Sequence, residues 1–124
     1  MYKAINSKQV PEAVGPYSHG AEFGNLVITS GQLPIDAATG EIPATAAEQA
    51  RVSLENVKKT LEEAGSSMKN VMKTTVFVSD LNNFAAINEV YASFFSAPFP
   101  ARSCVEVARL PKDVFVEIEA LALK

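Results

Sequence analysis

Tryptophan is absent from this chain, cysteine and histidine occur once each, and no run of lysine and arginine appears anywhere. Each absence removes a class of function. A single cysteine, Cys104, cannot close an internal disulfide and fits a reducing compartment. A single histidine, His19, excludes a multi-histidine metal site and argues against a Ser/His catalytic pair, leaving it a surface or hydrogen-bonding role. With a net charge of −3 and scattered cations, sequence-independent nucleic-acid binding has no electrostatic footprint. No apolar stretch reaches membrane-spanning length, and residues 1–20 hold neither an unbroken apolar segment nor a basic leader. The expectation is a soluble, cytoplasmic protein without a membrane partner. No repeat or low-complexity linker interrupts the 124 residues, which read as one domain, 1–124.

What is present suffices for a core: 48% of residues are hydrophobic against 20% charged, an ordinary globular balance. Gly24-Asn25 lies between the segments 18–23 and 26–30 and signals a tight hairpin. Asp36–Gly40 signals a second reversal between 31–35 and Glu41-Ile42. Ala47, Ala50, Leu54, Val57, Leu61 and Ala64 step by three or four residues, which predicts a helix. Thr45 and Glu48 form a capping box at its start, Gly65 stops it, and Glu55 with Lys59 makes an i,i+4 pair. Residues 71–79 read as a strand, and 82–96 as a second helix burying Phe84, Ile87, Tyr91, Phe94 and Phe95.

Two strands close the chain. In the last, Val114, Val116, Ile118, Ala120 and Ala122 share an apolar face and Glu117 points the other way. The order predicts an α+β domain, a mixed β-sheet with two helices packed on one face. The other face still carries Phe77, Phe115, Leu121 and Leu123, and an uncovered apolar surface of that kind predicts a homo-oligomer.

The densest chemistry lies in Phe99-Pro100-Ala101-Arg102-Ser103-Cys104-Val105-Glu106-Val107-Ala108-Arg109-Leu110-Pro111 and Val116-Glu117-Ile118. Pro100 stiffens the entry to a strand on which Arg102, Cys104 and Glu106 share a face. A guanidinium and a carboxylate near each other in a partly dry cleft can grip a small carboxylic acid and steer a water. No base is visible near Cys104, which argues against a thiol nucleophile. Asn88 lies beside Phe84 and Phe95 at the edge of the helical stripe, where an amide needs a partner, a ligand or a carbonyl one turn back.

These pieces, with Gly15-Pro16-Tyr17-Ser18, Ile28-Thr29-Ser30-Gly31-Gln32, Lys73-Thr74-Thr75-Val76-Phe77, Asn88 and Tyr91, resemble the RidA/YjgF/YER057c family of enamine and imine deaminases. The resemblance runs from about Ala4 to Leu123. It implies a fold similar to the bacterial chorismate mutase trimer, a homotrimer with sites between subunits, and hydrolysis of reactive 2-imino and 2-enamino acids such as 2-iminobutanoate and 2-iminopropanoate. The products are 2-keto acids and ammonia, and no cofactor is implied. By that likeness Arg102 clamps the substrate carboxylate and Glu117, rather than Glu119, activates water. The backbone of Cys104, Tyr17 at the cleft rim, Asn88, and Ser30 and Gly31 as donors opposite Arg102 complete the site. The rival readings are a non-catalytic ligand-binding or regulatory trimer, a chaperone-like or nuclease activity, and a chorismate mutase. The connection Ser96–Phe99 is shorter than in some relatives and borders the cleft, so it bears on substrate size.

Overall fold

The computed structural model describes residues 1–124. Its strands are β1 (Lys3–Ile5), β2 (Gly20–Phe23), β3 (Leu26–Thr29), β4 (Val71–Val78), β5 (Ala101–Glu106) and β6 (Val116–Leu123). The helices are α1 (Ala46–Glu63) and α2 (Phe84–Ser93). All six strands join one mixed sheet in the order β1-β2-β3-β6-β4-β5, with only the β4–β5 pair parallel. The expected α+β architecture is therefore present, with one addition. β1 was not expected: three residues with a single buried side chain, Ile5, are too short for alternation to register.

The hairpin forms around Gly24, whose φ of 59° is the left-handed conformation the turn requires. Asp36 builds the second reversal by accepting from the amides of Ala38 and Thr39, yet no strand flanks it beyond a single bridge from Gln32 to Ile118.

In α1, Ala46 takes the buried place expected of Ala47, followed by Ala50, Leu54, Val57, Leu61 and Ala64. The capping box is half made. Thr45 Oγ1 accepts from the Glu48 amide at 3.2 Å, while the Glu48 carboxylate turns to Arg51 at 2.9 Å. That pair takes the place of the expected Glu55–Lys59 pair, which does not form. At the far end the Ser66 amide reaches Leu61 O and the Gly65 amide reaches Glu62 O, a Schellman closure with Gly65 at φ 81°.

α2 is shorter than the sequence suggests. Asp80 caps a 3-10 turn over Leu81–Asn83, and the helix ends at Ser93 with tightened bonds from Phe94 and Phe95 to Tyr91 and Ala92. Only Ile87 and Tyr91 are fully buried in it.

Both helices cover one sheet face, where Val27, Val76, Val78, Val116, Ile118, Ala120 and Ala122 meet Leu54, Val57, Leu61 and Ile87. The opposite face is open to solvent. Phe23 is 62% exposed there, Ile28 49% and Val105 44%, with Leu26, Phe115 and Leu123 also exposed. No helix is long and apolar enough to cross a membrane.

Candidate functional site

The residues singled out above separate into two groups, one on each face of the sheet. Register decides this. Arg102 pairs with Thr74 and Cys104 with Val76, both buried under the helices, so the Arg102 side chain leaves the sheet on the helical face. Glu117 pairs with Phe77 on the open face. The expectation that the guanidinium and the carboxylate lie near each other in one cleft is thus not met within a single chain.

The Arg102 group sits where α2 overhangs the edge strand β5. Positions 84, 88 and 91 of α2 fall on one stripe and enclose the guanidinium. Asn88 Oδ1 accepts from Arg102 Nη1 at 2.6 Å. The Arg102 Cζ lies 4.9 Å from the Tyr91 ring centre and 5.5 Å from that of Phe84. Tyr91 is held in turn, its hydroxyl 2.7 Å from Thr74 Oγ1 in the core. Burial raises the Tyr91 pKa, so the phenol stays neutral. No carboxylate pairs with Arg102. A half-buried guanidinium held by an amide and two rings but lacking a counter-ion is a ready anion site.

Cys104 follows on the same face, partly buried against the core. Burial pushes its thiol pKa up, outweighing the opposing pull of the Arg102 charge. The thiol is therefore protonated at neutral pH, the wrong state for a nucleophile. β5 has only β4 beside it, so its outer row of backbone groups is unpaired within the chain.

The second group gathers at the end of β3. After the Ile28–Leu121 pair the next contact is Gln32 with Ile118, so Thr29, Ser30 and Gly31 stand opposite only Glu119 and Ala120. The extra residue bulges the strand outward. Thr29 Oγ1 fills the gap by accepting from the Ala120 amide at 3.0 Å.

Glu117 lies directly across the backbone of Gly31: a Cβ on that glycine would overlap Glu117 Oε2. Only glycine permits that approach. Burial, and secondarily the Glu119 charge, raise the Glu117 pKa above the ordinary carboxylate range.

Ser30 corrects an expectation. Its amide donates to His19 O at 2.8 Å and its hydroxyl to Ser18 O at 2.6 Å, so neither is free to donate to a ligand. The Gly31 amide makes no hydrogen bond within the chain and is the available donor. Tyr17 shares a recess with His19, Gly31 and Gln32, and its hydroxyl accepts from the Val14 amide at 3.2 Å.

Two supports complete this half, the first the hydrogen-bonding role expected of His19, the second not read from the sequence. His19 is buried and ties the N-terminal segment down, Nδ1 accepting from the Ser7 amide at 3.0 Å and Nε2 lying 2.9 Å from Pro11 O. In α1, Ser53 donates to Gln32 O, Asn56 to Leu33 O and Ile35 O, and Gln49 accepts from the Phe115 amide. That polar line grips the segment after Gly31 and the entry to β6. Its spacing at 49, 53 and 56 was the available signal, a second periodic stripe beside the apolar one.

A family model described as endoribonuclease L-PSP matches residues 7–124. A 2-iminobutanoate/2-iminopropanoate deaminase of Escherichia coli strain K12 is 56% identical over 127 residues, covering 100% of this chain and 99% of that protein. The crystal structure of the YjgF gene product from E. coli superposes with a TM-score of 0.95 at 55% identity, covering 98% of each chain. That of E. coli TdcF with bound serine gives 0.95 at 54%, again covering 98% of each. The helix-covered mixed sheet and these likenesses converge: the chain belongs to the RidA/YjgF/YER057c family, whose matching model carries the endoribonuclease L-PSP description.

Proposed function

We propose that this protein hydrolyses reactive 2-imino and 2-enamino acids to 2-keto acids and ammonia, at sites completed between the copies of a cytoplasmic homotrimer. The observation that carries the reading is the half-buried Arg102 guanidinium, which has no carboxylate partner, donates to Asn88 and lies beside the Tyr91 and Phe84 rings. It is a fork for one small carboxylate. A deaminase of iminobutanoate and iminopropanoate at 56% identity, and a relative crystallised with serine, support a small amino-acid-like ligand.

The chemistry follows from the two halves. Arg102 of one copy holds the carboxylate while Glu117 of another holds a water. That water adds to the imine carbon, Glu117 takes its proton, and the C=N π pair passes to nitrogen. The raised Glu117 pKa suits it to return the proton. Glu117 then takes the carbinolamine hydroxyl proton and passes it to that nitrogen, and the C–N bond breaks to release ammonia as the C=O bond forms. The free Gly31 amide is the donor this reading assigns to the new oxygen, and the imine, already an activated electrophile, needs only a modest lowering of the barrier.

The uncovered face bearing Phe23, Ile28, Val105 and Phe115 supplies the interface such a shared site requires. A ribonuclease reading, suggested by the description of the family model, lacks a cationic track for a phosphate backbone.

The test is a coupled assay in which threonine dehydratase generates the imine and semicarbazide competes for it. The protein should suppress semicarbazone formation in proportion to its concentration. Unchanged trapping at any concentration overturns the enzymatic reading and leaves a binding trimer, in which Glu117→Gln would be silent.

A further inference from the structure

Tyr91 contacts neither the water site nor, by hydrogen bond, the guanidinium, yet it is the buried ring beside Arg102. It is 5% exposed, its ring lies 4.9 Å from the Arg102 Cζ, and its hydroxyl is tied to Thr74, which is 1% exposed. Thr74 is also the cross-strand partner of Arg102 on β4. The two ends of this relay therefore start from neighbouring backbone positions and close through α2. An arginine on an edge strand carries several free torsions, and a carboxylate fork works only if its plane is set in advance.

We propose that Tyr91, anchored by Thr74, is the positioning residue that sets the plane of the Arg102 guanidinium for carboxylate capture. Asn88 holds one nitrogen of the fork, Phe84 flanks the guanidinium near the surface, and Tyr91 supplies the rigid buried seat. The proposal deepens the deaminase reading and rests on it.

The experiment measures the dissociation constant of 2-oxobutanoate by calorimetry together with kcat and KM for 2-iminobutanoate. Tyr91→Leu removes the ring and should raise Kd and KM by about tenfold, within the range of a partly desolvated cation–π contact. It should leave kcat within about threefold, because Glu117 belongs to the other half-site. Tyr91→Phe keeps the ring but loses the Thr74 tie, so its Kd should fall between those of wild type and Tyr91→Leu. Since Tyr91→Leu strands the Thr74 hydroxyl in the core, Tyr91→Leu/Thr74→Val is measured beside it. In an Arg102→Ala background Tyr91→Leu should change Kd by less than about twofold.

A purely structural role would lower melting temperature and kcat while sparing Kd, and that result overturns the proposal. Weakened binding in Arg102→Ala with unchanged binding in the folded leucine variants overturns the positioning role alone. Unchanged binding in Arg102→Ala overturns the carboxylate reading beneath it. Should neither leucine variant fold, proton NMR of the wild type decides. Upfield Arg102 Cδ protons fit the stack on the ring, and random-coil shifts refute it.

Discussion

Replacing Arg102 tests the clamp quantitatively. Arg102→Ala removes a guanidinium that donates to Asn88 Oδ1 and stacks near Tyr91 and Phe84, without touching any carboxylate. A two-pronged contact to a substrate carboxylate is worth roughly 1.5–3 kcal/mol per charge-assisted hydrogen bond. At about 1.4 kcal/mol per decade, kcat/KM for 2-iminopropanoate should fall roughly a hundredfold or more.

Stability should suffer far less. Asn88 is only part-buried and can turn to water, and the lost cation–π contact costs about 0.5–2 kcal/mol. Arg102→Lys should rescue little, because an ammonium cannot present a planar fork. The assay is steady-state imine hydrolysis, after sedimentation and thermal melting have shown that both variants assemble and fold. Rates within threefold of wild type for both would refute the reasoning and place carboxylate recognition elsewhere.

Gly31→Ala should force Glu117 off its seat, since the new Cβ would overlap Oε2, and lower kcat by about tenfold or more with smaller effect on 2-keto-acid affinity; equal loss of both would mean local unfolding of the bulge. Cys104→Ser should retain most activity, because burial keeps the thiol protonated; near-complete loss in a folded protein would revive the nucleophile. The raised Glu117 pKa means that the folded state holds that proton more tightly than the unfolded chain. Below the ordinary carboxylate range both states are protonated, and stability is lost as pH rises through the shifted value. Glu117→Gln should therefore gain stability relative to wild type between acid and neutral pH, as followed by urea unfolding; a parallel pH dependence would contradict it.

The sequence revealed the core more readily than the site. The Leu54–Leu61 stripe, the Gly24 hairpin and the alternation of β6 are local signals, and each carries its own period or turn chemistry. The geometry of the site is not local. Alternation shows that Arg102 and Cys104 share a face, and that Glu117 opposes Ile118, but not which sheet face each group takes. That depends on β4, which stands between β5 and β6 and pairs Thr74 with Arg102 but Phe77 with Glu117. β5 adds to the difficulty because neither of its faces is plainly apolar. The free Gly31 amide and the spent donors of Ser30 arise from a one-residue bulge, which no composition signal marks.

The central claim is that a working site takes Arg102 from one copy and Glu117 from another. Complementation tests it most directly. Arg102→Ala and Glu117→Gln are each expected to be nearly inactive, and equal amounts are refolded together so that subunits mix at random. In a cyclic trimer, one site in about four then pairs an intact Arg102 from one variant with an intact Glu117 from the other, and about a quarter of wild-type activity should return. A mixture no more active than its separate components, in trimers shown by mass spectrometry to be mixed, would contradict the shared site.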